Sequence, residues 1–260
     1  MPRTLALAAL LLLPATIRAQ EAPAPRGGML EAAGFAHDVS NGFGHWRGGR
    51  LRAVVPAGRR SVVYLEGLAQ RAFRDDGLYG SAALQQALGD DWIAFAGVGA
   101  GSGDLVLPEL RVDALLTRKL LASRRLLATV GGTWVRSKDV YRDRTAVVSL
   151  TGYLGGAAVL EVGGRFNWST PGDVRSQRGQ AALTLGRSGQ RFVVLRAGHG
   201  SEAYQLTGSG ATERKFTSSE AAITWRQWLG RHAGVLVGGE WYDNPFYTRT
   251  GVQLGLFAAW

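Results

Sequence analysis

Apolar and polar residues alternate with a period of two along most of the chain. One face of the segment 178–186 is more apolar than the other, with Ala181, Leu183 and Leu185 set against Gln180, Ala182, Thr184 and Gly186. The segments 158–168 and 233–242 repeat this pattern. Alternation of this kind indicates β-strands with one apolar face. The intervening segments lack amphipathic helical spacing, so the pattern predicts an all-β protein.

The same pattern predicts fourteen strands, an even number, joined by hairpins in an antiparallel up-and-down meander. They span 30–39, 46–55, 61–71, 77–87, 91–100, 110–119, 125–136, 144–154, 157–168, 176–187, 190–199, 214–227, 232–242 and 246–260. Tight turns alternate with longer or more polar links near 40–44, 101–109, 137–143, 169–175 and 200–213. This alternation is typical of outer-membrane barrels, which place short turns in the periplasm and longer loops outside. A soluble β-sandwich, the alternative, gives no reason for it. We therefore predict a closed antiparallel transmembrane β-barrel.

The two ends of the chain support the same location. Residues 1–19 combine Arg3, an apolar stretch at 5–13 and a small residue at Ala19, as a secretory signal peptide does. We expect cleavage near Ala19, a short periplasmic tether at 20–28 and the barrel at 29–260; a retained anchor is the alternative. The last strand alternates apolar residues up to Trp260, the form read by the barrel-assembly machinery of Gram-negative bacteria. The eight tryptophans lie near predicted strand ends, as interfacial girdles require.

Composition adds a question about charge. The chain of 260 residues has no cysteine, which excludes disulfides and cysteine-based metal sites, and its formal net charge is +10. A basic balance suggests nucleic acid as a partner when the charges cluster, but an exported chain has little access to it, and we predict none. Here charged residues of both signs fall on the polar face of the strands, which predicts that they line the lumen: Glu66, Arg111, Asp113, Glu161, Arg165, Arg196, Glu220, Arg226 and Glu240. They either fill the interior with ion pairs or line a conduit for anionic solutes or polysaccharide.

One short motif offers catalytic chemistry. His199 and Ser201, with Glu213 beyond the next loop, resemble the spacing in outer-membrane lipid A deacylases and phospholipases. Ser201 would be the nucleophile, His199 the base and Glu213 the residue that orients it; an exposed loop is the alternative. Glu202 stands where such enzymes usually carry asparagine. Phosphate-binding loops and clustered metal ligands are missing from the sequence, so we predict no cofactor and no metal.

Several short segments carry a family resemblance. They include LRAGHGSEAY at 195–204, Trp225 with Gln227, EWYDNP at 240–245 and the final strand, with QRAF at 70–73 and RVD at 111–113 as looser matches. In their order and spacing the chain resembles the YaiO-type outer-membrane β-barrel family over nearly all its mature length. The resemblance implies an outer-membrane barrel without an established activity, sometimes attached to helical repeats in polysaccharide secretion. The tether is too short for such repeats, so separate proteins would supply any export partner.

Together these observations favour a narrow polar conduit or a component of polysaccharide-type envelope export, without enzymatic activity. The alternatives are an outer-leaflet lipid hydrolase with the His199 and Ser201 motif, and a structural or adhesive barrel. The expected partners are outer-membrane lipid and lipopolysaccharide, the barrel-assembly machinery through the strand ending at Trp260, and an envelope export complex.

Overall fold

The computed structural model describes residues 27–73, 75–102, 107–137, 140–155, 157–205 and 213–260. The predicted signal peptide and the first part of the tether lie outside the described residues. Fourteen strands are present: β1 Met29–Val39, β2 Gly44–Pro56, β3 Ser61–Ala72, β4 Asp75–Leu88, β5 Trp92–Gly101, β6 Leu110–Leu120, β7 Leu126–Arg136, β8 Arg142–Tyr153, β9 Ala158–Thr170, β10 Val174–Arg187, β11 Arg191–Gln205, β12 Glu213–Trp228, β13 Ala233–Asp243 and β14 Thr248–Ala259. Among the described residues, no helix is both long and apolar enough to cross a membrane.

The strands form one closed barrel. Each pairs antiparallel with its neighbours in chain order, and β1 closes the ring by pairing with β14, Met29 lying opposite Ala259. The predicted closed up-and-down meander of fourteen strands is confirmed. Closure leaves no sheet edge with unpaired backbone groups, which is the condition for crossing hydrocarbon with strands.

The alternation in sequence becomes an outer and an inner face. Val252, Leu254 and Leu256 on β14 are all more than 60% exposed, while Phe257 beside them is buried inside. Exposed leucines and valines recur around the barrel, as expected for a surface that contacts lipid. The inner face carries the buried polar and charged side chains.

The chain termini define the two ends of the barrel. Met29, Trp260 and the connections 57–60, 89–91, 121–125, 154–157, 188–190 and 229–232 lie at one end, here called the turn end. The links after the odd-numbered strands lie at the other, the loop end. The predicted difference in length is present at 102–109 and 206–212. The other loop-end links are no longer than the turns, including the three predicted to be longer or more polar at 40–43, 137–141 and 171–173; the remaining two are 73–74 and 244–247. If the shorter connections are periplasmic, as in outer-membrane barrels, the loop end is expected to face the cell surface.

Tryptophan placement differs in part from the predicted girdles. Trp92, Trp168, Trp225, Trp241 and Trp260 are exposed on the outside. Trp46 and Trp228 are buried inside the barrel, 3% and 7% exposed. Each shares the parity of the inward charged residues of its own strand, such as Arg50 on β2 and Arg226 on β12, so its indole packs inside, away from lipid.

Candidate functional site

The barrel interior gathers the predicted charged residues. All nine have inward parity on their strands, and Arg111, Glu161, Arg165 and Arg226 are among the most buried polar residues of the molecule. Other inward charges lie with them: Glu31, Arg50, Arg52, Arg178, Glu202 and Arg249. Inward arginines and carboxylates nearly balance, so the character of the interior depends on which groups pair.

The most buried carboxylate is Glu31, with 1% of its surface exposed. It forms an ion pair with Arg226, and its other oxygen lies 3.5 Å from Arg50 Nη2. Strand register also sets Glu31 opposite Arg52, and Arg52 opposite Glu66. Oppositely charged side chains at facing positions stabilise neighbouring strands, so this row ties β1, β2 and β3 to β12.

A second cluster spans β10, β11 and β12 near the loop end. Arg178 pairs with Glu202, and its Nη2 lies 3.2 Å from Glu220 Oε2. The Arg178–Glu220 ion pair joins β10 to β12 across Gly198 of β11. A Cβ atom at position 198 would lie 2.7 Å from the Glu220 carboxylate and 3.0 Å from Arg178 Nε. Glycine at 198 therefore leaves the space that lets two strands pair across a third. Ser218 donates to Glu202 within the same cluster.

Two further pairings complete the ion network. The Arg111 guanidinium donates from Nε and Nη2 to the two Asp113 oxygens, each at 2.8 Å, and Thr133 donates to Asp113 at 2.7 Å. Glu240 lies 3.0 Å from His37 and 3.1 Å from Arg249. Asp113 and Glu240 thus each have a basic partner.

Arg165 differs from these arginines. It is 8% exposed, its Nη2 has no hydrogen-bond partner, and no carboxylate of the described residues lies within ion-pair distance of it. Its facing neighbour on β10 is Arg178. The carboxylates whose charge acts on Arg165 are Asp113 and Glu220, and these are bonded to Arg111 and Arg178. A buried cation without a direct partner is costly, so Arg165 is the group most open to an anion.

Apolar side chains occupy both ends of the interior on one side of the barrel. Val39, Trp46, Ala72, Tyr242 and Tyr247 cluster at the loop end. Another cluster lies at the turn end, formed by Met29, Val54, Phe192, Val194, Trp228 and Phe257. All these residues come from β1–β3, β11, β12, β13, β14 and the link before β14. The facing wall presents small hydroxyl side chains instead, among them Thr129, Thr133, Thr145, Ser149 and Thr151.

His199 and Ser201, two residues of the suggested hydrolase motif, lie on the outer face of β11 and form hydrogen bonds to different neighbouring strands. Ser201 Oγ accepts a hydrogen bond from the Gln177 amide at 2.9 Å and donates to the Gln177 carbonyl at 3.3 Å. His199 Nδ1 instead lies 2.9 Å from Ser219 Oγ on β12. The Glu213 side chain lies outside the described part of the chain. The structure thus brings His199 to Ser219, a residue that the short motif did not indicate.

Sequence reasoning also missed Glu202 and Arg249. The predicted link at 200–213 contains Glu202, but β11 continues through this residue to Gln205. Its parity, the same as that of Arg196, is the signal that could have found it. Arg249 lies 5.0 Å above the Trp46 ring, a contact that only the folded barrel makes.

Solved structures with a similar fold are outer-membrane proteins. A structure titled "CymD monoaromatic hydrocarbon channel" shares 8% identity, with a TM-score of 0.58 over 91% of this chain and 89% of that one. A structure titled "Bacterial polysaccharide outer membrane secretin" shares 9% identity, with a TM-score of 0.55 over 90% of this chain and 98% of that one. The translocator domain of the autotransporter NalP from Neisseria meningitidis shares 15% identity, with a TM-score of 0.52 over 91% of this chain and 89% of that one. At such identities the likeness concerns the fold alone. The comparison with curated proteins found no match.

A family model agrees with the resemblance seen in the sequence. The model described as the YaiO membrane beta barrel domain matches residues 30–205, from the first strand to the end of β11. The match covers more than half of the chain and includes the segment 195–204. The barrel is closed, its outer face is apolar, and the family model matches more than half of the chain. The chain is therefore an outer-membrane β-barrel that belongs to the YaiO membrane β-barrel domain family.

Proposed function

We propose that this outer-membrane barrel is a narrow polar conduit that prefers anions, acting alone or within a polysaccharide-type envelope export assembly. The observation that carries the proposal is Arg165, a buried arginine in the charged middle of the barrel that has no carboxylate of the described residues at ion-pair distance. An acidic polysaccharide is an extended anion and fits the same chemistry. Export of the chain with removal of residues 1–19 belongs to this proposal.

The distribution of pairs supports a preference for anions. Arg111, Arg178, Arg226 and Arg249 are each held by a carboxylate, so their charges are largely neutralised locally. The Nη2 group of Arg165 has no hydrogen-bond partner among the described residues, so it can donate to a passing anion. Charged side chains at a constriction set the sign of the permeant ion, and the hydroxyl-bearing wall of β7 and β8 offers hydrogen bonds to a polar solute.

Conductance in planar bilayers tests this function. We expect small single-channel currents, with a reversal potential in a KCl gradient that shows chloride preferred over potassium. Arg165→Ala should lower the anion-to-cation permeability ratio at least tenfold, because a unit charge ~8 Å from the ion path contributes about 2 kcal/mol at an effective dielectric constant of ~20, and a factor of ten corresponds to about 1.4 kcal/mol. Arg118→Ala is the control, since Arg118 lies outside over the Trp92 ring.

Two outcomes would contradict the conduit proposal. If neither the native barrel nor the Arg165→Ala and Arg196→Ala variants open in the bilayer, the interior is a filled core and the conduit proposal is wrong. Cation preference in the native barrel would contradict the role given to Arg165.

A second candidate function rests on the 2.9 Å contact between His199 and Ser219. We propose that this pair, on the lipid-facing side of the loop end, cleaves an acyl ester of an outer-leaflet lipid. His199 would take the Ser219 proton as Oγ attacks the ester carbonyl and would give it to the departing alcohol oxygen, leaving the acyl group on Ser219. Water, deprotonated by the same imidazole, would then release the fatty acid and restore the Ser219 hydroxyl. No carboxylate bonds His199 among the described side chains, so the pair would act as a dyad.

Variants at the two serines separate the possibilities. With purified barrel and lipid A, Ser219→Ala and His199→Ala should reduce fatty-acid release at least a hundredfold, because each removes a reacting group. Ser201→Ala should leave the release unchanged, since Ser201 bonds the Gln177 backbone. Absence of release by the native protein would rule out the hydrolase, and equal loss in Ser201→Ala would contradict the assignment of Ser219.

A further inference from the structure

A group of arginines and tryptophans lies on the outer face of the barrel near the loop end. Its members have outward parity on four consecutive strands, β7 to β10, and we call them the arginine–tryptophan patch: Trp134, Arg136, Arg142, Arg144, Trp168 and Arg175. The conduit proposal makes no use of these residues, because they face away from the interior.

Strand register concentrates positive charge within the patch. Arg136 lies directly opposite Arg142. Trp168 lies between Arg144 on one side and Arg175 on the other. Strands are spaced about 4.8 Å apart, and alternate residues of a strand about 7 Å, so the backbones of Arg142, Arg144 and Arg175 lie within about 12 Å of one another. Facing like charges destabilise a sheet unless something neutralises them.

The described part of the chain supplies little neutralisation. Arg136 Nε lies 3.1 Å from Glu109. Arg142, Arg144 and Arg175 are exposed and make no ion pair with any described residue. Other exposed arginines do have partners, such as Arg71 with Asp76 and Arg124 with Asp91. The patch therefore presents three guanidinium groups to an external anion.

An apolar wall adjoins the charges. On the same outer face, the positions of β8 and β9 nearer the middle of the barrel are exposed Val148, Leu150, Leu160, Val162 and Phe166. Arginine binds phosphate with paired hydrogen bonds, and indole rings favour the boundary between headgroup and hydrocarbon. The surface thus fits an amphiphile with a phosphorylated head at the loop end and acyl chains running along the wall.

We propose that the arginine–tryptophan patch binds the phosphates of lipid A, the phosphorylated glycolipid of the outer leaflet. Short turns in the periplasm place the loop end in that leaflet. Arg144 and Arg175 hold phosphate from both sides of Trp168, and Arg142 adds a third donor group. The acyl chains lie against the apolar residues of β8 and β9. This site does not depend on conduction through the barrel.

Native mass spectrometry of the detergent-solubilised barrel with purified lipid A tests the site. Arg144→Gln with Arg175→Gln should weaken lipid A binding about 30-fold, because each arginine near a lipid surface contributes about a factor of five. The control is Arg187→Gln with Arg191→Gln, a directly facing pair of exposed outward arginines at the turn end. It removes the same charge and should change binding less than twofold. Mobility shift on heating verifies that both variants are folded.

Two further ligands define the chemistry. Dephosphorylated lipid A should bind the native barrel as weakly as lipid A binds the Arg144→Gln, Arg175→Gln variant. Phosphatidylglycerol should bind at least tenfold more weakly than lipid A. Three outcomes would each overturn the proposal. The two double variants could weaken lipid A binding equally, dephosphorylated lipid A could bind the native barrel as tightly as lipid A does, or phosphatidylglycerol could bind as tightly as lipid A.

Discussion

Glu31→Leu should destabilise the folded barrel by about 3–5 kcal/mol, the range for removing one partner of a buried ion pair. Glu31 is 1% exposed and pairs with Arg226, which is itself buried between the Phe192 and Phe257 rings. Without the carboxylate, the buried Arg226 guanidinium would lose its ion pair with Glu31. Urea-dependent unfolding in lipid vesicles, followed by tryptophan fluorescence, measures the free energy of unfolding.

Two comparisons identify the cause. Asp76→Asn removes an exposed carboxylate 3.5 Å from Arg71 and should cost less than about 1 kcal/mol. Glu31→Leu with Arg226→Leu removes both buried charges and should recover at least half of the loss, because replacing a whole buried pair by apolar side chains is often neutral. A single variant as stable as the native barrel, or a double variant less stable than the single one, would contradict this account.

Gly131→Ala should cost about 3 kcal/mol, at the upper end of the usual range for overpacked sites. A Cβ atom at Gly131 would lie 2.2 Å from the Ala114 carbonyl oxygen and 2.7 Å from Leu115 Cα on the neighbouring strand. These are backbone atoms, so β6 and β7 would have to separate and weaken their hydrogen bonds. The same unfolding measurement applies.

Gly67→Ala is the matched control for this position. It changes glycine to alanine within β3, where a Cβ atom would meet nothing within 4 Å. We expect the free energy of unfolding to change by less than about 1 kcal/mol. An alanine that fits without strain does not destabilise the folded barrel, and it restricts the unfolded chain. If both variants lose the same stability, general glycine effects explain the loss and the contact with Ala114 does not.

The fold followed from the sequence because lipid imposes a simple pattern. Every second residue of a spanning strand meets hydrocarbon, and its neighbours meet the interior. This rule gave the number of strands, their approximate bounds and the inward parity of residues such as Arg165 and Glu240. It requires only local information, since the side-chain period of a strand does not depend on which strand lies beside it.

The girdle prediction was wrong for two tryptophans because it used residue type and position along the strand instead of this rule. Trp46 and Trp228 lie near strand ends, yet their parity directs them inside. Local spacing also could not identify the hydrogen-bond partners of the hydrolase-motif residues. Alternate residues of a strand lie about 7 Å apart on one face, so Ser201 and His199 each bond a neighbouring strand. Their partners, Gln177 and Ser219, are 24 and 20 residues away in the chain.

The sequence by itself determined the class of the protein: alternation set the strands, the even count and the terminal strand indicated an outer-membrane barrel, and parity divided each strand into lipid-facing and inward residues. Only the tertiary structure decided the pairings, because partners depend on register between strands that are distant in sequence. Closure of the barrel joined Arg226 of β12 to Glu31 of β1, two strands that do not pair. Register left Arg165 beside Arg178 and, among the described residues, without a carboxylate at ion-pair distance, and it gathered Arg142, Arg144 and Arg175 around Trp168. The net charge of +10 is a property of composition, but where that charge is neutralised and where it remains available to a ligand is a property of the closed barrel.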